Sequence, residues 1–241
     1  MSDEKKKRYM VNEVFLSLQG EGVRAGTLNV FVRLSKCNMA CAVEPGAKSP
    51  GGFDCDTEFE SGRWLTAAEI VAEVFRLWPR GSHDEVLGAP WVVLTGGEPL
   101  LQYDRELWEA LEGDGERVKI RVAIETNGSL EVPRTHQLSD EVWANMPHEQ
   151  RLAYYCADWI TVSPKVAEHA IRQRDAHEVK YVRGAGQAAP QTVVAADLYL
   201  VSPAHDGMRL DPEALATCQR IIRNDPRWRL SVQQHKAWRV R

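Results

Sequence analysis

The chain has 241 residues, 44% apolar and 27% charged, an ordinary globular balance that excludes a collagen-like, coiled-coil or mostly disordered protein. Thirty basic against 34 acidic side chains leave a net charge of −4, so electrostatics give no argument for a nucleic-acid partner. No apolar run reaches the ~18 residues of a membrane span. The expectation is a cytoplasmic protein without nucleic-acid or membrane partners.

Residues 1–8 are charged and no apolar stretch follows, so they read as a solvated tail and not as a secretory signal. Residues 13–18 and 28–35 are strand candidates, the second rich in β-branched and aromatic side chains. Residues 66–78 predict a helix. Thr66 and Glu69 form a capping box, Ile70, Val74, Phe75 and Trp78 recur at helical spacing, and Pro79 stops it. Residues 91–95 are a wholly apolar strand, as expected where both faces are covered. A helix is predicted over 99–112, opened by Pro99, and a strand over 118–126. Strands follow at 159–162, 178–182, 197–201 and 229–233, with a helix from Pro212 to Asn224.

This alternation predicts an α/β chain with a parallel sheet and helical crossovers. Residues 42–54, 80–90 and 134–157 read as insertions in one domain spanning 1–241. The first is rich in Gly, Pro and Ser, the second is polar, and the third carries a short helix over 140–152.

Ligands of parallel α/β folds bind at the carboxyl ends of the strands. Here those ends are polar: Gln19-Gly20-Glu21-Gly22, Thr95-Gly96-Gly97-Glu98-Pro99, Glu125-Thr126-Asn127-Gly128, Ser163-Pro164-Lys165, Ser202-Pro203 and Gln233-Gln234-His235-Lys236. Each segment alone reads as an ordinary tight turn or a structural histidine. Six of them on one rim predict an active site. Of the five cysteines, Cys156 and Cys218 stand alone and read as small buried hydrophobes. Cys37, Cys41 and Cys55 are spaced C-x3-C-x13-C. Three thiolates suit a [4Fe–4S] cluster with one iron left open; zinc with a distant fourth ligand is the alternative.

With these segments other than Ser202-Pro203, and with Phe31-Val32-Arg33, Cys37-Asn38-Met39-Ala40-Cys41 and Cys55-Asp56-Thr57 in view, the chain resembles the radical S-adenosylmethionine (SAM) superfamily. Within it, the chain is similar to the 7-carboxy-7-deazaguanine synthase family of queuosine and deazapurine biosynthesis. The resemblance runs in order from residue 13 to the C-terminus. It implies a partial, modified (β/α) TIM-like barrel and a homodimer. It implies a lyase converting 6-carboxy-5,6,7,8-tetrahydropterin to 7-carboxy-7-deazaguanine with loss of ammonia. SAM is used catalytically, Mg2+ assists, and a flavodoxin or ferredoxin supplies electrons.

The resemblance also implies the site. Cys37, Cys41 and Cys55 hold the cluster, and Thr57 ligates Mg2+. Gly96, Gly97, Glu125, Asn127, Ser163, Pro164, Lys165 and Ser202 face SAM. The two glycines there leave room for its methionyl end. Leu18, Gln19, Gly20, Glu21, Arg33, Thr95, His235 and the terminal carboxylate of Arg241 face the pterin. Arg33 suits a carboxylate because its fork pairs bidentately.

Three features depart from the family's pattern. Eleven extra residues separate Cys41 from Cys55, Ser202-Pro203 stands where Gln-Pro is usual, and the tail Trp238-Arg239-Val240-Arg241 is more basic. Two alternatives compete. One is a glycyl-radical activase, which shares the cysteine triplet but gives no reason for Gln19, Glu21 or His235. The other is a non-catalytic metal-binding protein, which leaves the polar strand ends unexplained.

Overall fold

A computed structural model describes residues 6–39, 58, 60–206 and 209–240. Its elements in chain order are β1 (Arg8–Leu18), β2 (Leu28–Leu34), β3 (Arg63–Thr66), α1 (Ala67–Leu77), β4 (Trp91–Gly96), α2 (Arg105–Glu112) and β5 (Arg121–Thr126). Then come α3 (Asp140–Asn145), α4 (His148–Leu152), β6 (Trp159–Val162), β7 (Asp175–Arg183) and β8 (Ala195–Pro203). The hairpin β9 (His205–Asp206) and β10 (Arg209–Leu210), α5 (Pro212–Asn224), β11 (Trp228–Leu230) and α6 (Gln234–Trp238) complete the chain.

Among the described residues, nine strands form one sheet in the order β11-β8-β7-β6-β5-β4-β2-β1-β3. Every pairing from β11 to β2 is parallel, and β1 runs antiparallel to both β2 and β3. The sheet is not closed, so the architecture is the expected partial barrel.

Period-two alternation assigns the two faces. Val30, Val32 and Leu34 of β2, Val92 and Leu94 of β4, Val122 and Ile124 of β5, and Ile160 and Val162 of β6 point one way. Ile70 and Val74 of α1 and Leu107 and Leu111 of α2 join them in one core, which Cys218 and Ile221 of α5 extend over β7, β8 and β11. Each such side chain removed from water contributes about 1.5–3 kcal/mol. On the opposite face Phe15, Phe31, Val93 and Ala123 form a second, smaller cluster, with the Phe15 and Phe31 rings stacked 5.2 Å apart.

The capping box of α1 is present, with the Glu69 amide donating to Thr66 and the Glu69 carboxylate accepting from the Thr66 backbone. Asp211 caps α5, which spans the expected residues.

Other expectations change. The helix expected over 99–112 breaks into a 3-10 turn (Pro99–Leu101) and α2. The break frees the Gln102 amide to bridge strand backbones: it accepts from Met10 N at 2.6 Å and donates to Ser35 O at 2.7 Å. Asp104 then recaps the chain by accepting from Leu107 N at 2.9 Å. The strand expected from 118 begins at Arg121, and the helix expected over 140–152 is split by Pro147. Residues 233–236, expected at a strand end, lie outside β11, with Gln234 opening α6. Strand β3 and the β9–β10 hairpin were not expected. They are too short to show a pattern.

Candidate active site

The chemistry of the inward face changes along each strand. One residue pair beyond the apolar layer, Phe31 becomes Arg33, Val93 becomes Thr95 and Ala123 becomes Glu125. The sheet register aligns these polar residues across neighbouring strands. Glu13 pairs with Arg33, Arg33 with Thr95, Glu125 with Thr161, and Thr161 with Glu178. The side chains touch along this row. Arg33 Nη1 lies 3.4 Å from Glu13 Oε1, Thr95 donates to Glu125 Oε2 at 3.0 Å, and Thr161 donates to Glu178 Oε1 at 2.9 Å.

The segment after β1 folds over this row. Gln19 Nε2 donates to Glu125 Oε1 at 2.9 Å, and Val23 N donates to Glu178 Oε2 at 3.0 Å. Glu21 pairs with Lys180 of β7 and accepts from Gln233 Nε2 at 2.8 Å. Burial alone would push the Glu21 carboxyl up; Lys180 and the hydrogen bond from Gln233 outweigh it and hold the group at about 2. Gln234 N donates to Gly20 O at 2.8 Å, which docks the start of α6 on the same segment.

A cavity of about 160 Å³ lies between them, lined by Phe15, Leu18, Gln19, Gly20, Glu21, Phe31, Arg33, Thr95, Glu125, Gln233 and His235. Gly20 is required here by contact. A Cβ on it would come 2.1 Å from Nδ1 of His235.

The turn after β4 carries the start of the cysteine segment. Gly96 has a φ of +111°, and a Cβ on Gly97 would lie 2.0 Å from the Lys36 carbonyl oxygen. Gly97 N donates to Leu34 O and Glu98 N to Lys36 O, at 3.1 and 3.0 Å. These glycines therefore seat the backbone leading into Cys37. Asn127 Nδ2 donates to Asn38 Oδ1 at 3.1 Å, and Asn38 donates to Ser129 at 2.8 Å, tying the cysteine segment to the β5 turn.

Glu98 is fully buried. It accepts from Thr126 Oγ1, Asn127 N and Leu100 N at 2.9, 2.8 and 3.1 Å. Burial pushes its carboxyl above the ordinary range, and these hydrogen bonds offset part of that rise.

Seven of the residues expected against the pterin, Leu18, Gln19, Gly20, Glu21, Arg33, Thr95 and His235, line this one cavity. The way they converge differs from the expectation. Residues 19–22 do not reach the common rim as a parallel strand end, because β1 is antiparallel. They arrive by folding back over the inward face of β5 and β7.

Of the residues expected to face SAM, Glu125 lines the cavity, and Ser163 N and Lys165 N bond to the Thr126 and Asn127 carbonyls at 2.8 and 3.2 Å. Pro164 lies between them, and Ser202 is buried near the end of β8. Cys37 is half-buried just beyond β2, and its Sγ accepts from Met39 N at 3.4 Å. Cys41, Cys55, Thr57 and Arg241 lie outside the described residues. Among the described residues no three metal-binding side chains cluster.

Lys180 and Glu178 escaped the sequence reading, whereas Gln233 was read only as part of a polar strand end. Lys180 and Glu178 sit in mid-strand, away from any turn motif. The two-residue spacing of Glu178 and Lys180, which puts both on one face of β7, was the available signal.

An open, mostly parallel α/β sheet with a polar pocket on its inward face defines a partial-barrel enzyme. Its fold matches a solved structure titled QueE from Escherichia coli, with a TM-score of 0.59 over 95% of both chains at 22% identity. No protein-family model matches the chain. It is 33% identical to a 7-carboxy-7-deazaguanine synthase of Bradyrhizobium diazoefficiens, over 97% of this chain and 99% of that one. It is 34% identical to the synthase of Caulobacter vibrioides and 35% to that of Nitratidesulfovibrio vulgaris, each over 95% of this chain and 97% of the relative. The chain belongs to the 7-carboxy-7-deazaguanine synthase family.

Proposed function

We propose that this enzyme converts 6-carboxy-5,6,7,8-tetrahydropterin to 7-carboxy-7-deazaguanine with release of ammonia, using SAM, a [4Fe–4S] cluster and Mg2+. The observation that carries the reading is the single cavity bounded by Gln19, Glu21, Arg33, Thr95, Glu125 and His235, in a chain of this family.

The pterin presents a pyrimidinone edge and a carboxylate, and the cavity offers partners for both. Glu21 is an ionised acceptor suited to ring N–H groups. Gln19 Oε1 already accepts from Gly20 N and Glu21 N at 2.8 and 3.2 Å, which fixes the amide. Arg33 supplies a cation for the carboxylate. His235, seated on Gly20, covers one side. Phe15 and Phe31 supply an apolar floor for the ring.

Cys37, Cys41 and Cys55 would hold the cluster. What supports the first is its placement: the thiol is half-buried at the strand end, and the backbone before it is locked on Gly97. When bound, the cluster and SAM supply the electron and the radical chemistry that the side chains lack. Gly96, Gly97, Glu125, Asn127, Ser163, Pro164, Lys165 and Ser202 would orient SAM beside the pterin, and Thr57 would offer Mg2+ an oxygen ligand. The chain works in the cytoplasm as a homodimer fed by a flavodoxin- or ferredoxin-type donor.

The test is anaerobic reconstitution with iron and sulfide. Cys55→Ala should lose the cluster and all SAM cleavage. Thr57→Val should keep the cluster and lose its response to Mg2+. A Thr57→Val chain titrating with Mg2+ like the wild type overturns the Mg2+ assignment.

A further inference from the structure

Lys180 is a largely buried cation that does not border the cavity, yet it reaches the cavity wall through one side chain. It projects from the inward face of β7, two residues beyond Glu178, the last member of the polar row. Its ammonium pairs with Glu21 Oε2, while the Gln233 amide donates to Oε1. The backbone around Glu21 is fixed as firmly. Gly22 N donates to Ser231 Oγ at 3.0 Å, and Val23 N donates to Glu178. Gly22 has a φ of +70°, and a Cβ there would lie 2.3 Å from Glu178 Oε1. Glu21 is thus held at its backbone and at both carboxylate oxygens, each of which keeps a lone pair.

The charges around this pair come from four elements. Glu178 lies beside Lys180 on β7, Glu125 faces it from β5, and His235 of α6 and His205 of β9 lie near Glu21. The surrounding carboxylates disfavour a further negative charge, so Lys180 is what makes an ionised Glu21 tolerable in the barrel interior.

We propose that Lys180 is a positioning residue of this pocket: it fixes Glu21 as a permanently ionised acceptor against the cavity. The site then takes ligands that present an N–H edge there and rejects those that present a lone pair. The inference rests on the pterin reading for the identity of the ligand, but not for the state of Glu21.

Two measurements on the full chain test it. The first needs no ligand. Carbon-detected NMR of 13C-labelled glutamate carboxyls follows Glu21, its signal assigned by loss in Glu21→Gln. In the wild type Glu21 stays ionised from about pH 8.5 down to about pH 5.5. In Lys180→Met it takes up a proton within that window, because a buried glutamate without a cation can rise to about 8–9. Lys180→Arg restores the wild-type behaviour. A Glu21 that stays ionised in Lys180→Met overturns the proposal.

The second is calorimetric binding of 7-carboxy-7-deazaguanine. Lys180→Met should weaken binding by about 10- to 100-fold near pH 6 and by less near pH 8.5. The double variant Lys180→Met with Glu21→Gln should bind no more weakly than Glu21→Gln alone, because Lys180 acts only through Glu21. Additive losses overturn the proposal. A wild-type chain that does not bind this ligand overturns the pterin reading, while the carboxyl titration still decides whether Lys180 governs Glu21.

Discussion

Gln19 and Glu125 lie 106 residues apart, yet the Gln19 amide donates to Glu125 Oε1 at 2.9 Å. Thr95 donates to the other oxygen at 3.0 Å. One carboxylate therefore joins the folded-back segment, β4 and β5 at the cavity wall. Glu125→Gln keeps the shape but offers only one acceptor oxygen to two donors. Turnover should fall by about 100-fold or more, the scale of losing an oriented polar contact at a reacting centre. Because Glu125 is only partly buried, melting by circular dichroism should shift by a few degrees at most.

The turn after β4 gives a second expectation. In Gly97→Ala the new methyl meets the Lys36 carbonyl at 2.0 Å, and backbone cannot move aside as a flexible side chain would. The displaced segment is the one that leads into Cys37. Iron and sulfide bound per chain after reconstitution should drop well below wild type, while Cys156→Ala, in the buried core, should leave them unchanged.

Gly20 and His235 should behave as one unit. Gly20→Ala drives a methyl into the His235 ring, so it removes the same wall that His235→Ala deletes. Each single variant should weaken ligand binding. The double variant should be no weaker than the worse single one, a non-additivity that calorimetry measures directly.

Asp104 offers a pH test of the fold. Burial pushes its carboxyl up, but the bonds from Lys7, Leu107 N and Tyr9 outweigh that and hold it below its ordinary 3.8. A depressed acid adds stability above its unfolded value and loses it as pH falls through the folded one. Asp104→Ala should therefore cost about 1–2 kcal/mol near neutral pH, the usual worth of an N-cap. That difference should shrink as urea melts are repeated below pH 3.8.

Local chemistry in the sequence gave what the structure keeps most faithfully. The capping box at Thr66 and the Asp211-Pro212 start of α5 were readable because each signal lies within a few residues. The parallel sheet followed from alternation alone. Much of the site was legible as polar strand ends, since Gln19, Gly20, Glu21, Thr95, Glu125 and His235 meet in one cavity, whereas Leu18 and Arg33 came from the family resemblance.

Directions and partners were harder. Nothing in residues 13–18 says that β1 is antiparallel, since strand direction is set by pairing. The break at Gln102 serves Met10, 92 residues away, and no local window contains that demand. Lys180 is similar: a mid-strand lysine reads as solvent-facing until its partner Glu21, 159 residues earlier, is placed beside it.

The central claim is the reaction itself. The reconstituted enzyme should be given a reductant, SAM, Mg2+ and 6-carboxy-5,6,7,8-tetrahydropterin without oxygen, and the products read by mass spectrometry. The account predicts 7-carboxy-7-deazaguanine, with many turnovers per SAM. Formation of 5′-deoxyadenosine without that product would contradict the substrate, and neither compound from a chain with its cluster intact would contradict the enzyme's proposed chemistry.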